Sequence, residues 1–547
     1  MRLPRLHRDH WPKVVAGIVA LPAVIIASLL HAFFLRAPNA VGFDDGYTVA
    51  AAERLISGHW LPYVDACSHR GPMLYWIVAL AQKLSGRFNW AGPRWLMFLT
   101  CLTTIGGLVG VGFAGRMPLA GALAALAFIY MSIVTGEPES GFAVTGEAIA
   151  ASFGILALLF CTLALMRAEK PRTRLALLAA CGACAALAGM TKQTAFLLVV
   201  PLGVWTLASA CALEGVRLRQ RFAPVIALTA GFFAPILIIV LRYALAGELR
   251  TFWYWFYTYN VRVYMAPYAG HAIGVELNQF FRDWPWTMLL IVVLCILGAR
   301  PAAEITSPRS IPKAIASHGL EVTTSLLLLA AFIGFTSPRR FWAPYHHLYF
   351  PFLAIALGVR IGLLLESGKG NWIGRLASQI LVGGFFVWWV CYVANLRIGD
   401  FDKIVAAGGR YPALPEPMCD FFQKYSGPND SIFIWGFDGD LYVTCHRRPA
   451  TRFTYLTLVA GTVPPAWTEP HPEWIARDAR KNLMQDMEKN QPKVVLDMPY
   501  NMHNVSLTVM PELVAYLDKN YCQVPPVSTK NGRRASAWVI RGSAGCP

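Results

Sequence analysis

This chain is short of charge. Only 14% of its 547 residues are Asp, Glu, Lys or Arg, while 56% are hydrophobic; soluble domains carry about 25% charged residues. The deficit excludes an ordinary soluble protein and fits a polytopic membrane protein. Acids are scarcer than bases, 31 against 48, which leaves a formal net charge of +17. In a soluble protein that excess would point to nucleic acid. In a membrane protein the cytoplasmic loops collect Lys and Arg, so nucleic acid is not an expected partner. The 12 cysteines include one Cys-x-x-Cys, Cys181-Gly182-Ala183-Cys184, but it lies inside an apolar run, where a free Cys behaves as a small hydrophobe rather than as part of a zinc ribbon or a thioredoxin motif. There is no G-x-x-x-x-G-K-[ST], so ATP-driven transport has no visible engine. No internal repeat of the kind common in transporters is evident. No A-x-A-like site follows the first apolar run, Val14 to Phe34. That run is long enough to span and reads as an uncleaved first helix.

A spanning helix needs about 20 mostly apolar residues. The candidates are roughly 13–34, 94–115, 117–134, 148–166, 175–190, 195–212, 222–245, 285–299, 321–336, 346–365 and 375–396. Under this count of about eleven, the basic residues fall on one side. They are Arg2, Arg5, Arg8 and Lys13; Arg116; Arg167, Lys170, Arg172 and Arg174; Arg217, Arg219 and Arg221; Arg300, Arg309 and Lys313; and Lys369 and Arg375. That side is the cytoplasm. The other side receives 35–93, 135–147, 190–194, 246–284, 337–345 and everything after about 397. Those segments hold most of the residues that could do chemistry, so an outward-facing site is implied.

After Leu396 the composition turns polar. Strand-like runs (Ser431 to Trp435, Val494 to Leu496, Ala537 to Ile540) alternate with helix-like ones (Trp474 to Lys489, Pro511 to Lys519). Residues 397–547 read as a soluble α/β domain tethered outside, following a membrane domain over 1–396. Five cysteines lie outside: Cys67, Cys419, Cys445, Cys522 and Cys546. An oxidising compartment permits disulfides there. Cys419 with Cys445 and Cys522 with Cys546 are the pairings taken here; five is odd, so at least one thiol stays unpaired.

The first outer loop carries the densest polar signal, GFDDGYTVAAAERLISGHWLPYVDACSHRGPMLYW from Gly42 to Trp76. Asp44 and Asp45 open it just before a helix that begins near Tyr47. One acid suffices for an N-cap; two beside a membrane exceed that need, and a carboxylate can take the proton of a substrate hydroxyl. Glu137 and Glu139 precede Glu147, which stands at the mouth of the fourth apolar run. Glu147 either favours the helix dipole or is a functional acid at membrane depth. His69 and Arg70, then Lys192 beside Gln193 in a break between apolar runs, then Arg339, Arg340, His346 and His347 in SPRRFWAPYHHLYFP, present cations on the same side. Single cations near headgroups commonly snorkel or bind lipid. Three loops of them suit a phosphate, which Arg matches in bidentate fashion. The aromatic stretch FWYWFYTYNVRVYMAPY, with Tyr257 and Tyr259, is either an interfacial belt or a platform for a sugar ring; Tyr47 and Tyr75 are further candidates to line a substrate.

The first-loop residues resemble the dolichyl-phosphate-mannose-protein mannosyltransferase-like family, membrane glycosyltransferases of the GT-C fold that include the aminoarabinose transferases of lipid A. In that family an acid pair opens the loop, then a Tyr and a helix ending in Gly, then a His-Lys-Pro-Pro-like segment and Leu-Tyr-Trp. Here Asp44-Asp45, Tyr47, Gly58, His69-Arg70-Gly71-Pro72 and Leu74-Tyr75-Trp76 stand in those places. Arg70 replaces the usual Lys and Gly71 the first Pro. Glu147 in TGEAIA and Lys192 in GMTKQTAF resemble the family's second acidic and its Lys-containing segments, and RRFWAPYHHLYFPFLAI a late Arg/His loop. The resemblance covers about residues 10–395.

The resemblance implies a polyprenyl-phosphate-linked sugar donor, a glycan, lipid or protein acceptor, and inverting transfer outside the cytoplasm of a bacterial inner membrane. Asp44 would be the general base. Asp45 and Glu147 would position it, or hold a divalent cation, the one cofactor left open. Lys, Arg and His would neutralise the leaving phosphate. The competing readings are a transporter or flippase of lipid-linked sugars, an oligosaccharide ligase or polymerase, and a non-enzymatic scaffold.

Overall fold

The computed structural model describes residues 6–34, 43–134, 142–266, 307–339, 341–367, 416–463, 469–502, 504–528, 532–543 and 546. The expected spans 285–299 and 375–396, and Glu137, Glu139 and Arg340, lie outside the described residues. Each of the other nine spans is a helix or a large part of one. In order the first nine helices are α1 (Leu6–Phe34), α2 (Phe43–Ser57), α3 (Pro72–Ser85), α4 (Ala91–Ala114), α5 (Pro118–Val134), α6 (Gly146–Met166), α7 (Pro171–Thr191), α8 (Val199–Cys211) and α9 (Leu218–Leu245). Helices Gly319–Thr336 and Phe350–Ser367 follow. Among the described residues six helical stretches are long and apolar enough to cross a membrane, and α1, α5 and Phe350–Ser367 carry shorter apolar stretches.

Lipid offers little hydrophobic drive between helices, so close approach of small residues does the packing. At the α7–α9 crossing a Cβ on Gly182 would stand 2.1 Å from the Leu228 carbonyl, and one on Gly231 2.0 Å from that of Ala179. A charged pair is buried in the bundle away from the sheet region. Glu321, in the first turn of Gly319–Thr336, pairs with Arg360 of Phe350–Ser367, and both are about 4% exposed. Arg360 also donates to the Ser325 hydroxyl at 2.8 Å. Neither charge stood out in the sequence.

The C-terminal region holds a five-stranded sheet in the order β2-β1-β3-β5-β4. Its strands are β1 (Ser431–Trp435), β2 (Arg448–Pro449), β3 (Val494–Asp497), β4 (Tyr521–Ser528) and β5 (Arg534–Ile540). β1 is parallel to β2 and β3, while β5 is antiparallel to β3 and β4. The edge strand β4 breaks register between Val524 and Val527, where Pro525 and Pro526 cannot donate to the ladder. Helices Ala479–Asn490 and Pro511–Asn520 fall close to the helix-like runs of the sequence. Two disulfides form, Cys419–Cys445 and Cys522–Cys546. Cys67 remains a free buried thiol, pushed by burial up to about 12 and thus inert.

The sheet region is docked rather than merely tethered. Tyr47, Tyr63 and Cys67, between α1 and α3, share one buried cluster with Phe433, Trp435 and Leu458. The Cys67 N–H donates to the Arg452 carbonyl at 2.8 Å, and Trp90 Nε1 to Thr444 Oγ1 at 3.3 Å.

Glu321→Gln leaves Arg360 buried without its counter-charge. The expected loss is roughly 3–5 kcal/mol of stability, as when one partner of a buried pair is removed, read as a lower midpoint of unfolding in detergent.

Candidate active site

The acid pair lies in the first turn of α2. Asp44 is in that helix, and its side chain lies outside the described residues. Asp45 is fully buried, with Oδ2 at 2.5 Å from Arg94 Nη1, and Arg94 is 2% exposed. Its other oxygen accepts the Val144 N–H. Asp45 therefore ties α2 to the start of α4 and to the segment that leads into α6. Arg94, an arginine at the head of an apolar run, passed unremarked in the sequence; its signal was that a charge at membrane depth needs a partner.

The segment after Val144 carries the second acid. Thr145 caps α6 with its hydroxyl, accepting the Ala148 N–H at 3.4 Å. Glu147 follows, 2% exposed, with Oε1 at 2.6 Å from Lys192 Nζ. Lys192 ends α7, and its ammonium also stands 4.3 Å from the centroid of the Tyr345 ring. Tyr345 is a member of the site that the sequence did not single out.

The cationic loop packs on that same helix end. A Cβ on Gly71 would fall 2.1 Å from the Met190 carbonyl and 2.6 Å from that of Thr191. Any other residue would push His69-Arg70 away from Lys192, which accounts for glycine at this position. Gln193, beside Lys192, donates to the His69 carbonyl at 3.0 Å, as does Asn260 at 2.8 Å. The His69 ring stacks on Tyr264 at 4.2 Å, with Tyr259 at 6.5 Å. Arg70 is 8% exposed and donates to the Tyr47 hydroxyl and, at 3.4 Å, to Thr48 Oγ1. Tyr75 bonds Ser68 Oγ.

The structure thus brings Asp45, Glu147, His69, Arg70, Lys192, Tyr47, Tyr75 and Tyr259 to one region. The late loop is more divided. His346 is fully buried, its ring against Phe335 and its Nδ1 bonded to Tyr349 at 2.9 Å, so it serves packing. His347 lines a mostly apolar cavity with His31, Thr100, Phe128, Ser132 and Phe142. Ala148, next to Glu147, lines it too, so the cavity adjoins the site. Arg339 follows helix Gly319–Thr336, whose C-terminal end abuts Thr194: a Cβ on Gly334 would stand 3.1 Å from the Thr194 carbonyl. Tyr257 is half-exposed and pairs with Trp253, as an interfacial aromatic does.

The described donors do not fit a divalent cation. Asp45 and Glu147 are each paired with a cationic side chain, and among the described residues no three His, Cys, Asp or Glu groups converge.

No protein-family model matches the sequence, and no curated protein matches it. Solved structures do. ArnT from Cupriavidus metallidurans, a lipid A aminoarabinose transferase, aligns in its apo state over 96% of this chain and 98% of its own, at 16% identity and a TM-score of 0.53. Its complex with undecaprenyl phosphate gives 95%, 98%, 17% and 0.52. The apo oligosaccharyltransferase of Archaeoglobus fulgidus aligns over 97% of this chain and 74% of its own, at 12% identity and a TM-score of 0.50. The chain has the GT-C fold. At these identities the likeness is one of architecture, and function has to be argued from the site.

Arg94→Met leaves Asp45 buried without its counter-charge, and the expected loss is about 3–5 kcal/mol. Adding Asp45→Asn recovers part of it, so a double-mutant cycle in detergent unfolding gives a coupling of about 1 kcal/mol or more.

Proposed function

We propose that this protein is a membrane glycosyltransferase. It moves a sugar from a polyprenyl-phosphate carrier to an acceptor hydroxyl on the extracytoplasmic side. The observation that carries this reading is the convergence of Arg70, Lys192 and His69 beside the acid-bearing end of α2, within a GT-C fold. A solved protein of that fold, ArnT, was crystallised with undecaprenyl phosphate. Two disulfides in the sheet region agree with an oxidising compartment, and with the outward side that loop charge assigns to it.

Asp44 takes the proton of the acceptor hydroxyl. The freed oxygen attacks the anomeric carbon from the face opposite the phosphate, and configuration inverts. The bond from that carbon to the phosphate oxygen breaks, and its electron pair leaves with the polyprenyl phosphate. The leaving group gains negative charge, which Lys192 and Arg70 meet. Charge-assisted donors held in place act most strongly where charge develops. Glu147 fixes the Lys192 ammonium, and Tyr47 with Thr48 fix the Arg70 fork. Asp45, spent on Arg94, orients α2 and does not act as a base. The cavity beside Glu147 gives the first isoprenyl units an apolar place next to the phosphate.

A panel of labelled polyprenyl-phosphate sugars offered to the protein in vesicles tests the reading. Transfer falls about 10²–10⁴-fold in Asp44→Asn, the span of general-base contributions. Lys192→Met loses about 10²–10³-fold, as for removal of one transition-state donor. If wild type consumes no donor, and labelled lipid crosses the bilayer equally well in Asp44→Asn, the protein is a transporter and this assignment is wrong.

A further inference from the structure

The carboxyl ends of β1 and β3 are the binding edge that an open parallel sheet offers. In this protein the edge faces the membrane domain. The chain leaving β1, Gly436-Phe437-Asp438-Gly439-Asp440, lies against the first turn of α2. The approach is backbone to backbone. A Cβ on Gly439 would stand 2.8 Å from Tyr47 Cα, and one on Gly46 2.7 Å from Asp440 N. Two glycines meet where neither chain leaves room for a side chain. The contact is reinforced alongside: Thr454 Oγ1 donates to the Tyr47 carbonyl at 3.2 Å, and Tyr455 lies 4.9 Å from the Tyr47 ring and 5.7 Å from that of His69.

The turn is itself fastened. It runs into the short helix Asp440–Thr444, and the next residue, Cys445, is bonded to Cys419 in the helix Pro417–Tyr425. The opposite end of α2 has further ties within the helical region. Glu53 accepts from Gln82 at 3.0 Å and from the Phe88 N–H at 2.9 Å, and pairs with Arg87 at 3.1 Å.

We infer that the Gly436–Asp440 turn, clamped by the Cys419–Cys445 disulfide, is a positioning element of the active site that sets the acid-bearing turn of α2 through the Gly46–Gly439 contact. The inference rests on the reading of that turn as catalytic. It makes the sheet region part of the reaction centre and ties full activity to oxidation of one cysteine pair. Gly439 and the disulfide touch no substrate; they act through the position of Asp44.

Hydrogen exchange and transfer are measured side by side in the full-length protein. The samples are wild type, Gly439→Ala, Cys419→Ser/Cys445→Ser, and Cys522→Ser/Cys546→Ser. The last removes the disulfide that joins β4 to the chain end and is the control. In Gly439→Ala and in Cys419→Ser/Cys445→Ser, exchange at the first turn of α2 rises about ten-fold or more while the Glu53 end stays protected, as expected of local opening. Transfer falls about ten-fold or more through kcat, because a displaced base costs rate rather than affinity. Binding of undecaprenyl phosphate alone stays near the wild-type value, and the control variant matches wild type throughout. Wild type treated with dithiothreitol reproduces the Cys419→Ser/Cys445→Ser result, so the inference stands even if that variant folds poorly. Unchanged exchange at α2, or changed exchange with unchanged kcat, overturns the inference. So does a loss of undecaprenyl-phosphate binding as large as the loss of transfer, which marks a general structural contact. If exchange responds as expected but wild type transfers no sugar, the positioning contact stands and the glycosyltransferase reading falls.

Discussion

The ion pair between Lys192 and Glu147 is the constraint on which the rest of the site depends. Both charges are largely withdrawn from water, and neither would be tolerable there alone. Lys192 ends α7 and Glu147 begins α6, so the pair fixes two helix ends at one depth. Gly71 then brings the cationic loop onto the same end of α7, through a gap that only a glycine can occupy. Asp45 and Arg94 make a second buried pair, and Val144 links the two. The result is a polar seam at one end of an apolar bundle. In it cations are held by acids rather than left to find lipid headgroups, the fate of most cations near a membrane surface.

That arrangement separates the roles of adjacent residues. Asp44 and Asp45 are neighbours in sequence, yet Asp45 is committed to a guanidinium and a backbone N–H. A carboxylate so engaged serves as an anchor between helices. The same division runs through the late loop, where His346 lies among aromatic rings while His347 borders the cavity. The sheet region completes the seam with Tyr455 and the Gly436–Asp440 turn, so the helical bundle and the sheet region share one core instead of one tether.

Much of this was legible in the sequence because strong local rules govern it. Among the described residues, the apolar runs of spanning length became helices, since no other structure hides its backbone from lipid at so little cost. The runs at 431–435, 494–496 and 537–540 became strands, and both expected disulfides formed. The first loop announced Asp45, His69, Arg70 and Tyr47 by residue type alone. What escaped the sequence was pairing at long range. Nothing local links Asp45 to Arg94, Glu321 to Arg360, Lys192 to Tyr345, or Gly46 to Gly439. Edge strand β4 was missed because its two prolines argue against a strand until a bulge accommodates them. The docking of the sheet region was missed because a polar composition shows where a domain begins, not what it packs on.

The central claim is that Lys192 and Arg70, held by Glu147 and Tyr47, receive the phosphate of a lipid-linked donor. The most direct measurement is a cryo-electron microscopy structure of the full-length protein with undecaprenyl phosphate in lipid nanodiscs. The account predicts phosphate density within hydrogen-bond reach of Lys192 Nζ and the Arg70 guanidinium, with the prenyl chain entering the cavity beside Ala148. Phosphate density elsewhere, with the Lys192–Glu147 pair unengaged by ligand, would contradict it.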